Sequence, residues 1–291
     1  MRLYGGNNMF IKTNDDLKLY YNFKNNNKKN TLFFIHGGPG ASSYFFEKHM
    51  SEQISKNYNL LTYDQRGCGR SDGNKNTDYT LNTLLNDIDI IIKKLSLDNI
   101  NLLCHSFGGI LGLNYILKYQ KIKSLILLNS TLNFIDSIKY QITQINKILN
   151  IKNETINNNK ILNEWLKKLS ILNKENKIHK LSFFKYENYK NFFKINEIEN
   201  KENFLQQYVL NSSEYFKNFN EKTDKIHIPV LIINGIYDNS VNPNDYKIMK
   251  FKNLYISNIK GSHMLYYENQ KEFLNAINHF LNNSNIKNET I

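Results

Sequence analysis

Short apolar runs of strand length alternate with helical-period segments through the first half of this chain, and few folds accommodate that alternation. Residues 31–35, 60–63, 100–104 and 124–128 read as buried strands. Between them residues 45–54 are helix-like. Leu81, Leu84, Leu85, Ile88, Ile91, Ile92 and Leu95 recur at helical spacing, and another helix runs from 107 to about 119. Ahead of these, 10–12 and 17–23 form a hairpin about Asn14-Asp15-Asp16. Strands alternating with helices imply an α/β fold with a mostly parallel central sheet and helices on both faces. The alternation breaks over 131–225, a helical stretch rich in Asn, Lys and Phe that holds the single tryptophan, Trp165. It resumes with a strand at 230–234, a helix near 245–249, a strand at 254–256 and a last helix around 273–281. The expected organisation is a core of residues 1–130 and 226–291, with 131–225 inserted between strands as a helical cap or lid. The polar tail, 282–291, is expected to fray.

The chemistry concentrates in the loops after strands. Cys104-His105-Ser106-Phe107-Gly108-Gly109 joins a strand to a helix through a serine with small neighbours, the pattern of a nucleophile elbow. Residues two before and two after such a serine must be small. Gly108 fits, and Cys104 stands where glycine is usual. The hydroxyl then sits at a helix N-terminus, where unpaired N–H groups favour negative charge. Upstream, His36-Gly37-Gly38-Pro39-Gly40 can turn backbone N–H groups inward, as an oxyanion hole requires. The N–H groups of Gly38 and Phe107 are the two expected donors, and His36 is read as holding that loop. A serine hydroxyl needs a base and an acid to orient it, and with an elbow the chain order is serine, acid, histidine. Asp238, in Gly235-Ile236-Tyr237-Asp238, follows one strand, and His263, in Gly261-Ser262-His263-Met264, follows the next. Asp245 competes for the acid role but falls in or near the next helix. Asp64 and Arg66, in Asp64-Gln65-Arg66-Gly67-Cys68-Gly69-Arg70-Ser71, are read as bracing a glycine turn.

Bulk properties narrow the remaining classes. At 291 residues with 41% hydrophobic side chains the chain can build one large core with an insertion. Two cysteines, Cys68 and Cys104, exclude a disulfide framework and a multi-cysteine metal site, and fit a reduced, cytoplasmic setting. No apolar leader or membrane-length run is present, so no membrane partner is expected. The formal charge of +12 raises nucleic acid as a partner. The lysines, however, are scattered among Asn and Ile with no recognition motif, so none is expected. No cofactor and no metal are implied. A small molecule or short peptide is the expected substrate.

HGGPG at 36–40, DQRGCGRS at 64–71, the serine elbow, GIYD at 235–238 and GSH at 261–263 together resemble the proline iminopeptidase (prolyl aminopeptidase) family of α/β-hydrolases. The resemblance covers most of the chain outside the cap. It implies an α/β-hydrolase fold, the triad Ser106, Asp238 and His263, and the oxyanion donors Gly38 and Phe107. It also implies removal of N-terminal proline, or another small residue, from short peptides. The family holds the substrate's α-ammonium with carboxylates, one of them in a segment of the form NGPxEF. Asn211-Ser212-Ser213-Glu214-Tyr215 is similar and nominates Glu214 for substrate binding. Some members carry a second glutamate directly after the triad acid. Here that residue is Asn239, so the amine is held by one charge rather than two, or by another glutamate of the cap such as Glu187 or Glu202. The competing expectation is a carboxylesterase or lipase-like hydrolase with the same triad, its acyl pocket lined by Phe183, Phe184, Phe192, Phe193 and Phe204. A third is a non-catalytic binding protein on the same scaffold.

Overall fold

The computed structural model describes residues 9–152, 160–194 and 203–286. The chain forms two compact units, each built from two separate stretches: Met1–Leu125 with Ile198–Glu214, and Ile126–Glu197 with Tyr215–Ile291.

In the first unit, β1 (Met9–Lys12) and β2 (Lys18–Lys24) form the expected hairpin, closed where Thr13 N–H donates to Leu17 O at 2.8 Å. β2 pairs antiparallel with β4 (Asn59–Tyr63). β3 (Thr31–Ile35) lies parallel between β4 and β5 (Ile100–His105), giving the order β1-β2-β4-β3-β5. Phe33 faces Leu61 on one side and Leu102 on the other. β3, β4 and β5 are buried along their whole length, which is why they read as mostly apolar runs, with buried polar residues such as Thr62 and Asn101, rather than as alternating ones. α1 (Tyr44–Ile54) packs on β4. α2 (Leu81–Lys94) starts at Thr80, whose hydroxyl accepts from Thr83 N–H, and buries Leu84, Leu85, Ile88, Ile91 and Ile92 of the expected stripe, with Leu81 and Leu95 half-buried at its ends. α3 (Gly108–Tyr119) packs on α2, β3 and β5.

The division between the units falls within β6 (Ser124–Leu128). β6, β7 (Val230–Gly235) and β8 (Leu254–Ile259) follow in that order, and β7 and β8 run parallel with Ile232 opposite Ile256. Between β6 and β7 the described residues form α4 (Phe134–Leu149), α5 (Ile161–Lys174), α6 (Tyr186–Phe192) and α7 (Phe204–Asn211), the last belonging to the first unit, with short 3-10 turns among them. α4 and α5 pack together, and Ile145 and Leu172 from them form a buried cluster with Leu181 of the 3-10 turn Ile178–Leu181. Trp165 donates its indole N–H to Gln141 Oε1 at 2.9 Å. α8 (Leu265–Glu268) leads into α9 (Gln270–Ile286), which packs on β7 and β8.

Parallel pairing therefore dominates, with antiparallel pairs at the N-terminal edge. The last helix extends past the expected 273–281 at both ends: Asn269 accepts from Glu272 N–H ahead of it, and it runs on to Ile286, into the tail expected to fray. The helix expected near 245–249 is a 3-10 turn, Asp245–Ile248, its N–H groups reaching back three residues rather than four. Among the described residues no helix is long and apolar enough to cross a membrane. None of their His, Cys, Asp and Glu side chains form a group that could hold a metal ion.

Candidate active site

Ser106 stands where β5 turns into α3. Its backbone is left-handed, with φ of 54°, while Gly109 N–H and Ile110 N–H donate back to Ser106 O and Phe107 O and wind the turn directly into helix. A non-glycine residue at such a φ is uncommon and marks a position that its surroundings impose. Those surroundings are explicit. A side chain on Gly108 would meet Ile35 O at 2.5 Å and His36 O at 2.8 Å, so only glycine lets the end of β3 pass this close. Cys104 is accommodated because its thiol occupies the space over Gly112, which lacks a Cβ.

The HGGPG loop lies against this turn. A Cβ built on Gly37 would come within 2.8 Å of Ser106 Cβ. Gly38 has φ of 114°, a conformation L side chains rarely adopt, and the next bond, Gly38–Pro39, is cis. His36 is buried and fixes the loop from inside: Gln65 N–H donates to its Nε2 at 2.9 Å, so Nδ1 carries the proton and donates to Gly37 O at 2.9 Å. Burial holds its pKa below the ordinary 6.5. Gln65 adds a side-chain N–H to His36 O at 2.8 Å.

The DQRGCGRS segment is a brace of paired charges. Asp64 Oδ1 accepts from Ser43 N–H and Oδ2 from Arg70 N–H and Nε. Burial alone would raise the Asp64 pKa, but these Arg70 contacts hold it below the usual carboxylate range. Arg66 forks onto Asp87 at 2.6 and 2.7 Å and onto Asp15. Burial pushes both thiols, Cys68 and Cys104, far up, which keeps them protonated. Glu214 is half-buried: Oε2 accepts from Leu81 N–H at the start of α2, and Oε1 from Tyr208 Oη and Ser212 Oγ.

Asp238 and His263 come together in the second unit. Asp238 Oδ1 accepts from Ser240 N–H and Val241 N–H at 2.7 and 3.0 Å, which turns Oδ2 to His263 Nδ1 at 2.8 Å. The carboxylate can only accept, so Nδ1 carries a proton, and in the neutral ring Nε2 is left as the acceptor. The acid is 2% exposed and the imidazole 7%. Two residues that the sequence reading missed hold these loops. Asn129, just after β6, donates its amide to Ser262 O and His263 O and accepts from Gly235 N–H. Glu268, on α8, accepts from Ser262 N–H at 2.6 Å. The only local signals were an Asn ending an apolar run and an acid five residues past a histidine.

Asp245 bonds backward to Asn242 O, and burial with the Asp136 and Asp238 charges pushes its carboxyl up to about 6. Asn239 donates its amide to Lys180 O at 2.8 Å. Glu187 is exposed beside Lys190, and Glu202 lies outside the described residues. Of the five phenylalanines expected to line an acyl pocket, Phe183 and Phe192 are buried edge to face at 5.2 Å. Phe184 and Phe193 are exposed, Phe184 stacking on Tyr237 at 4.6 Å. Phe204 is half-buried at the start of α7. A cavity of about 630 Å³ beside the acid loop is lined by Phe183 and Phe184 together with Lys147, Lys180 and Asn239, so it is mixed rather than apolar.

The family model described as alpha/beta hydrolase fold matches residues 30–270. The chain belongs to the alpha/beta hydrolase fold family. Within this family it is 35% identical over 131 residues to the proline iminopeptidase of Saccharolobus solfataricus, 44% of this chain and 40% of that one. It is 41% identical over 106 residues to the proline iminopeptidase of Lactobacillus delbrueckii subsp. lactis, covering 35% and 36%. The resemblance expected from the motifs is thus found, over about two-fifths or less of the length of these relatives. A proline iminopeptidase-related protein from Thermus thermophilus shares the α/β-hydrolase fold at a TM-score of 0.76 and 17% identity, over 94% of this chain and 96% of the other.

Proposed function

We propose that this α/β-hydrolase is a serine hydrolase that releases proline, or another small residue, from the N-terminus of short peptides through an acyl-enzyme. The observation that carries the reading is Ser106, held at φ of 54° under the glycine loop of His36–Gly40. Ser106 Oγ attacks the carbonyl carbon beside the scissile bond while His263 Nε2 takes its proton. The N–H groups of Gly38 and Phe107 stabilise the oxyanion. His263 then protonates the leaving amine, and a water deprotonated by the same imidazole clears the acyl group from Ser106. Asp238 holds the imidazole in the required tautomer throughout. Residues 131–225 serve as the cap, over a core of 1–130 and 226–291.

Glu214 is proposed as the partner of the substrate's α-ammonium. Three donors already converge on it, and a carboxylate has about four acceptor positions, so one remains. The same observation favours a second reading, hydrolysis of small acyl esters, because Glu214 supports α2 and Asn239 brings no second carboxylate.

Hydrolysis of proline and alanine arylamides, their N-acetyl forms and a short-chain acyl ester decides between them, with Ser106→Ala run in parallel. Cleavage of free-amine amides, abolished by acetylation and by Ser106→Ala, supports the peptidase. Cleavage of the ester alone transfers the triad to the esterase reading and removes Glu214 from the substrate site. No Ser106-dependent turnover of any of them, with folded protein, overturns both.

A further inference from the structure

Five consecutive residues between α5 and α6, Lys180 to Phe184, reach both catalytic loops of the second unit. Asn239 Nδ2 donates to Lys180 O at 2.8 Å, and Ser240 Oγ donates to Leu181 O at 3.0 Å. These two bonds tie the acid loop. Met264 N–H donates to Ser182 O at 3.0 Å, and Phe184 N–H donates to Glu268 Oε1 at 2.8 Å. These two reach the histidine loop. The strap is anchored by its apolar side chains: Leu181 lies in the core with Ile145 and Leu172, and Phe183 packs on Phe192.

Glu268 is the hub of this arrangement. One carboxylate oxygen accepts from Ser262 N–H at 2.6 Å, and the other accepts from Phe184 N–H and from Asn188 Nδ2 at 3.0 Å. Hydrogen bonds to an ionised acceptor are the strong class. His263 is therefore fastened on both sides along the chain, through Ser262 to Glu268 and through Met264 to Ser182.

We propose that Glu268 is a positioning residue that sets the His263 imidazole against Asp238 by clamping the histidine loop to the strap. It touches neither substrate nor reacting atoms. The assignment rests on the functional reading above in taking His263 as the base. A glutamine at 268 keeps one acceptor but turns an NH2 group toward N–H donors, so one arm of the clamp opens. Displacements of the order of an ångström at a base cost up to about 100-fold in rate.

The test compares wild type, Glu268→Gln and Glu268→Ala, with exposed Glu272→Gln as control. Turnover of the best substrate is read as kcat and KM separately, and the downfield proton resonance of His263 Nδ1–H is recorded, assigned by its loss in Asp238→Asn. The expected result is a fall in kcat of about 10- to 100-fold with little change in KM, and a shifted or broadened resonance. A folded Glu268→Gln protein with unchanged kcat and an unchanged resonance overturns the proposal. Amide exchange in the wild type decides the case in which the variants do not fold: Ser262 and Phe184 N–H must be protected, and rapid exchange at either overturns it. Absence of Ser106-dependent turnover would sink the functional reading alone, since the resonance and exchange still decide the clamp.

Discussion

At the scale of single residues, His36 shows how burial converts a titratable group into a fixed part. Its Nε2 accepts from Gln65 N–H and its Nδ1 donates to Gly37 O, so a second ring proton would oppose an N–H already in place. Burial holds the folded-state pKa below 6.5. Between that lowered value and 6.5 the unfolded chain binds more protons, so stability rises with pH there. The contribution of His36 is complete above about 6.5 and is lost as pH falls toward the folded-state value. Urea midpoints measured from pH 5 to 8 are expected to decline on acidification in the wild type and to decline less in His36→Asn. Equal slopes in the two proteins would refute the neutral assignment. The same residue gives the loop its direction. In a trans peptide C=O and N–H point oppositely, so the bond from Nδ1 to Gly37 O turns Gly38 N–H away from the ring.

At the scale of elements, α2 is pinned by the loop after β4 through Arg66 and Asp87, 1% and 2% exposed. Burial raises the Asp87 carboxyl to about 6 against the pull of the guanidinium, which leaves the pair charged at neutral pH. Removing one partner strands a buried charge. Arg66→Ala is expected to cost about 3–5 kcal/mol, and Arg66→Met with Asp87→Leu to recover much of that loss. Chemical denaturation of the three proteins checks it. A single variant as stable as wild type would mean that the pair is not charged. Element positions were legible where period carried them, as in the stripe Leu84, Leu85, Ile88, Ile91 and Ile92 of α2. Boundaries were less so: α9 continues through polar residues that periodicity leaves silent, and the turn at Asp245 closes with three-residue bonds that the same residues do not announce. The brace role of Asp64 and Arg66 was legible, because charged residues beside glycines after a buried strand have few other places to go, but their partners, Arg70 for Asp64 and Asp87 with Asp15 for Arg66, were not.

At the scale of the whole molecule, each compact unit takes two separate stretches of chain, so neither can form from one contiguous piece. Because the chain passes from one unit to the other and back, a single transition is expected, and coincidence of two probes tests it. Trp165 is the sole tryptophan and lies 9% exposed in the second unit, so its emission reports that unit while far-UV dichroism reports both. The two probes should give coincident urea midpoints. Emission changing well ahead of dichroism would show independent unfolding.

The sequence by itself determined the α/β class, the order of the strands along the chain, the turn that carries Ser106 and the loops that carry Asp238 and His263. Each of these is written in a few neighbouring residues: an apolar run, a glycine cluster, a small residue where a turn is tight. Tertiary structure alone decided which groups support them. Asn129 reaches His263 O across 134 positions, Glu214 reaches Leu81 N–H across 133, and Glu268 reaches Phe184 N–H across 84. These are bonds from one side chain to a distant backbone group. The partner is an N–H or C=O that every residue type but proline possesses in full, and so the one-dimensional pattern carries no mark of it.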